Sequence, residues 1–101
     1  MKKIIDGKMY NTDTAKAISI WNAGQYGGHD YIEETLFKKR TGEYFLYGFS
    51  GAFGKYGKYI DINTCSGGSR ITPYTEMEAK RWLEKYGTAD EYVAEFGEPK
   101  E

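Results

Sequence analysis

The sequence predicts an α+β fold: an antiparallel sheet packed by one N-terminal and two C-terminal helices, in the order β-β-α-β-β-β-β-α-α. Three observations carry this. Residues 75–97 hold two consecutive capped, amphipathic helical patterns. Residues 31–62 are rich in Tyr, Phe, Ile and Thr, the strand formers, and are cut by turn residues. Residues 14–21 place Thr14, Ala17, Ile18 and Trp21 at i, i+3, i+4 and i+7, one face of a helix.

The elements follow in order. Lys3 to Tyr10 is a short hairpin, because Asp6-Gly7 accepts the positive φ values of a type I′ turn. Asn11-Thr12-Asp13 offers side-chain oxygens to cap the first helix, which ends near Asn22-Ala23-Gly24. A loop over Gln25 to Asp30 contains Gly27-Gly28. Tyr31 to Lys39 is a strand, with Tyr31, Thr35 and Phe37 on one face and Ile32, Leu36 and Lys38 on the other. Lys39-Arg40-Thr41-Gly42 turns the chain into an antiparallel neighbour, Glu43 to Phe49. Tyr59 to Ile62 and Arg70 to Thr72 are short strands separated by a turn over Asn63 to Ser69. Pro73 confines the end of the second strand to an edge. Thr75 with Glu78, and Thr88 with Glu91, form capping boxes. Ala79, Trp82, Leu83 and Tyr86, then Ala89, Tyr92, Val93 and Phe96, supply the apolar stripes. Gly87 and Gly97 stop the two helices.

The length, 101 residues, fits one domain, 1–101, large enough for a core without metal or disulfide help. A net charge of −1 excludes a broadly basic nucleic-acid binder. Residues 1–75 carry ten Lys/Arg against seven Asp/Glu, and residues 76–101 carry four against eight, so the C-terminal helices are acidic. Cys65 is the only cysteine, no apolar run approaches the length of a membrane span, and MKKIIDG lacks the apolar stretch of a signal peptide. A cytoplasmic protein with no membrane contact is expected. Ten tyrosines exceed what a core of this size needs, so several face solvent or a partner.

The stretch Glu43 to Tyr59 organises the candidate surface. Seven of its residues are Tyr or Phe, and Gly48, Gly51, Gly54 and Gly57 recur every third position. A buried aromatic strand thus runs into a glycine-rich loop expected to be flexible. Phe53, Lys55, Tyr56, Lys58 and Tyr59, with Arg70, are the candidate partner-binding residues. Gly54-Lys55 lacks P-loop spacing and the following Ser/Thr, so no phosphate loop is expected. Three readings of this stretch stay open. Phe53, Tyr56 and Tyr59 stack on bases while Lys55, Lys58 and Arg70 meet phosphates. Alternatively, Tyr and Gly form an adaptable protein-binding surface. In the third reading Phe49 and Phe53 cover one end of the core and the lysines only solubilise.

Catalytic signals are sparse. His29 is the only histidine, nothing in the sequence brings it to Cys65, and no metal or cofactor site is expected. Glu33 and Glu34 point to opposite faces of a strand, one to solvent and one near a sheet edge, so they do not pair.

Three segments, KKIIDGKMYNTDTAKAI, YIEETLFKKRTGEYFLYG and RITPYTEMEAKRWLEKYGTADEYVAEFGE, resemble a family of small proteins from phages and mobile elements of gut and oral bacteria. Some members are anti-CRISPR proteins acting on type II effector nucleases. The resemblance implies a non-enzymatic inhibitor of a bacterial antiphage defence system, bound to an effector nuclease in the host cytoplasm and blocking its nucleic-acid binding or activation. The shared segments are fold-forming and hold no catalytic signature, so no functional residue carries over. Relatives have an acidic residue and adjacent glycines where this chain has Gly48-Phe49-Ser50-Gly51, which implies a different target if that loop is the contact. The alternative is a small accessory nucleic-acid-binding protein using residues 48–59. A housekeeping role with another protein partner is the third.

Overall fold

The computed structural model describes residues 1–61 and 64–100, with the side chains of 59–61, 64 and 65 excluded. Strands β1 (Lys2–Ile5) and β2 (Lys8–Asn11) form the expected hairpin, turned at Asp6 (φ 51°) and Gly7 (φ 79°). The chain then enters β3 (Lys16–Ala23), β4 (Ile32–Lys38) and β5 (Tyr44–Ser50). A small hairpin, β6 (Lys58–Asp61) with β7 (Thr64–Ser66), leads into β8 (Gly68–Tyr74). Helices α1 (Glu76–Tyr86) and α2 (Ala89–Phe96) close the chain. The central sheet is antiparallel, in the order β3-β4-β5-β8.

The predicted element order is therefore corrected: there is no N-terminal helix, and residues 16–23 are an edge strand. The cause is a bulge. The β3–β4 register slips between Ala17 and Ser19, leaving Ile18 as the extra residue. One extra residue shifts the alternation of a strand by one. Ile18 and Trp21 therefore both pack against the helix-side core despite their separation of three, and the spacing imitates a helix. Asn11 caps no helix: its side chain accepts from the Asp13 amide at 2.9 Å in a local turn. The second correction concerns the predicted turn over 63–69, which contains β7 and the start of β8. Ile62 and Asn63 lie outside the described residues.

The sheet buries both faces at its centre. On one face Leu36, Tyr44 and Leu46 meet Ala79, Trp82 and Leu83 of α1, flanked by Tyr92 and Phe96 of α2. Both capping boxes form as expected. On the other face Tyr10 from the β1–β2 hairpin covers Phe45 and Ile71, with Phe37 stacked on Phe45. Burying a side chain such as Phe45 contributes about 2–3 kcal/mol. The hairpin reaches only one end of this second face. The register row Asn22–Glu33–Phe49–Ser69 continues past it, and Ile20, at the β3 edge of the preceding row, stands 59% exposed.

Candidate functional site

Two loops meet at the far end of the sheet, one over residues 24–31 and the other over 51–57. Backbone bonds knit them together. Gly51 N donates to Tyr31 O at 2.9 Å, and Phe53 N donates to His29 O at 2.8 Å. Ser50 Oγ accepts from Tyr56 N at 2.8 Å, which fixes where the second loop turns back. A Cβ at Gly51 would stand 2.2 Å from Gly28 O, so this glycine permits close approach of two backbones. The loop expected to be flexible is instead tied at both ends and across its middle.

Beneath it lies a residue that sequence reasoning placed at an edge or in solvent. Glu34 sits on the interior strand β4 and is only 2% exposed. Its Oε2 accepts from the Tyr56 hydroxyl at 2.5 Å and from Lys55 Nζ at 3.1 Å. Its Oε1 accepts from Trp82 Nε1 of α1 at 3.1 Å. Burial pushes the Glu34 carboxyl up, but the bonds from Tyr56, Trp82 and Lys55 outweigh it and hold the group below the usual carboxylate range. Burial, then the Glu34 carboxylate, pushes the Tyr56 phenol well up, so it remains a donor. The Arg70 guanidinium carbon lies 5.1 Å from the Tyr56 ring centre. Three donors occupy both carboxylate oxygens. The arrangement therefore acts as a latch joining β4, α1 and the 51–57 loop. The signals were scattered: Glu34, Tyr56 and Trp82 are far apart in sequence, and only register brings them together.

The structure thus divides the candidate residues. Lys55 and Tyr56 bond to Glu34, Arg70 lies over the Tyr56 ring, and Tyr56 is 5% exposed, with its ring between Gly48 and Arg70. Phe53 points outward, 75% exposed, with the His29 ring 5.1 Å away. Lys58 is exposed in β6. The side chains of Tyr59 and Cys65 lie outside the described residues.

Sequence reasoning missed a second exposed ring at this end. Tyr26, on the neighbouring loop, is 80% exposed, and its ring lies 5.2 Å from Tyr31. From Tyr31 the aromatic run continues to Phe49 at 6.0 Å and on to Tyr47. The only signal was Tyr26 beside Gly27-Gly28. Tyr26, Tyr31 and Phe49 line a cavity of about 220 Å³ floored by Gly27, Gly28 and Gly51.

Among the described residues no three His, Cys, Asp or Glu side chains group closely enough to hold a metal. No described helix is long and apolar enough to cross a membrane. No protein family, curated protein or solved structure matches the chain.

Proposed function

We propose that this is a non-enzymatic binding protein whose contact surface is the loop end bearing Tyr26, His29 and Phe53. The carrying observation is that Tyr26 and Phe53 stand 80% and 75% exposed on loops whose backbones are hydrogen-bonded to one another. Large aromatic rings give broad contact area at small entropic cost, and a tied loop loses little freedom on binding. Acting in the host cytoplasm, the protein would inhibit a bacterial antiphage defence complex by covering a surface of a CRISPR effector nuclease. That surface is one needed by guide RNA, target DNA or a moving domain. The partner class is supported by the resemblance of the three segments above. The choice of protein over nucleic acid is supported by where the cations go. Lys55 is paired with Glu34, and Arg70 lies over a buried ring, so two of the three candidate cations are already engaged within the fold.

The test is cleavage of target DNA by a guide-loaded type II effector with this protein in excess. Inhibition by the native chain, lost in Tyr26→Ala/Phe53→Ala, is expected. Undiminished cleavage would remove the defence target. A shift of single-stranded oligonucleotides by the protein alone, steeply weakened by salt, would favour the accessory nucleic-acid reading instead.

A further inference from the structure

We propose that the cavity between Tyr26, Tyr31 and Phe49 receives an arginine side chain of the partner protein. The inference rests on the protein-binding reading above and names the chemistry recognised at that same end.

The walls are aromatic and set at steep angles. Tyr26 and Tyr31 meet edge to face at 71°, and Phe49 is tilted 45° from Tyr31. Rings so disposed offer π faces and edges to a group seated in this open cavity, and a cation held over such faces is attracted by the ring quadrupoles. The polar groups beside the cavity are acidic. Glu33 stands directly across the strand pair from Phe49, and its Oε1 accepts from the Tyr31 hydroxyl at 2.9 Å. That bond aims the carboxylate toward the wall, and among the described residues nothing occupies Oε2. Asp30 Oδ1 lies 3.1 Å from the position of a Cβ on Gly28, so a second carboxylate flanks the glycine floor. Among the described residues no cation forms an ion pair with Asp30 or Glu33, although Glu34 and Glu95 each have one and Glu43 has two. Two acids, the half-buried Glu33 and the exposed Asp30, thus stand beside an aromatic cavity without a cation from the described residues.

A cationic side chain satisfies both features. Guanidinium suits them better than ammonium, because it is planar, stacks on rings, sheds water more readily and presents a fork of donors to a carboxylate. The glycine floor adds room for the stem, since Gly27 and Gly28 bring no side chains into the cavity.

The experiment titrates the isotope-labelled protein with three blocked tripeptides, Gly-Arg-Gly, Gly-citrulline-Gly and Gly-Lys-Gly, and follows amide resonances. Saturable shifts confined to residues 24–33 and 49–51 are expected with the arginine peptide. Citrulline has the same shape without the charge and should give none. Tyr26→Ala and Glu33→Gln, neither of which belongs to the two core clusters, should each weaken binding about fivefold. No localised shift up to tens of millimolar, or equal shifts from citrulline, overturns the proposal. Equal binding of lysine overturns the assignment to arginine. Peptide binding without nuclease inhibition would keep the pocket and remove the defence target. Inhibition without peptide binding would remove the pocket alone.

Discussion

The Tyr56 ring fills the space that a side chain at position 48 would need: a Cβ on Gly48 would lie 2.2 Å from both Cζ and the hydroxyl oxygen of Tyr56. Gly48 is thus the gap in the sheet through which the loop reaches Glu34. Gly48→Ala relieves the clash only by moving the ring, which breaks the Tyr56–Glu34 bond and leaves a buried carboxylate short of a donor. Overpacking and the lost bond together predict a cost of about 3 kcal/mol. For a chain of this length that lowers the melting temperature by roughly 10–20 °C, measurable by calorimetry. An unchanged melting temperature would mean that the latch contributes nothing to stability.

Tyr56→Phe keeps the ring and removes only the hydroxyl. A hydrogen bond to a charged group contributes about 2 kcal/mol, so the variant should be less stable by that amount near neutrality. The acid response carries the sign. The folded-state pKa of Glu34 lies below its ordinary 4.5, so its contribution is fully present above that value and is lost as pH falls through the lower folded value. Removing the hydroxyl lets burial raise the group again, which shrinks the gap between folded and unfolded states. Urea unfolding from neutrality to about pH 3 should therefore show a shallower acid loss in Tyr56→Phe, with the two proteins converging as pH falls.

Most of the fold was legible, and the exceptions share a cause. The two capping boxes and the Asp6-Gly7 turn depend on residues within a few positions of each other, so a local pattern suffices. The faces of β4 also followed from alternation. β3 did not, because the bulge at Ile18 is a property of its pairing with β4 and leaves no local mark. The strand character of residues 16–23 was still present in Ile18, Ile20 and Trp21, which are branched or aromatic. Glu34 was misplaced for the same reason. A lone acid in a strand resembles a solvated residue until Trp82, 48 positions later, is known to donate to it.

Glu43 offers a surface counterpart to the buried latch. Lys8, Lys39 and Thr41 donate to its carboxylate, at 2.8, 3.3 and 3.1 Å, and Lys8 comes from the β1–β2 hairpin. These bonds, Lys8 first, draw its pKa down to about 2. Carbon-detected titration should find Glu43 ionised well below the usual carboxylate range. Lys8→Ala should move it upward, and half-molar salt should do so partly, because the pair is screened. A Glu43 midpoint unaffected by Lys8→Ala would show that the hairpin does not dock through this contact.

Glu91 performs two tasks with one oxygen. Its Oε1 accepts from the Thr88 amide at 2.9 Å, closing the capping box of α2, and from the Ser19 hydroxyl of β3 at 2.9 Å. Helix α2 has no fully buried residue, so these polar contacts weigh more for it than for α1, which buries Ala79, Trp82 and Leu83. Glu91→Ala should cost about 1–2 kcal/mol. Its effect should be local. Amide exchange should accelerate across residues 89–96 while α1 and the central sheet keep their protection, because an element held by few apolar contacts opens before the core does. Ser19→Ala should give a smaller acceleration over the same residues, since it spares the cap. If α1 instead loses protection in step with α2, the two helices open as one unit, and the Ser19 contact is not what holds α2 to the sheet.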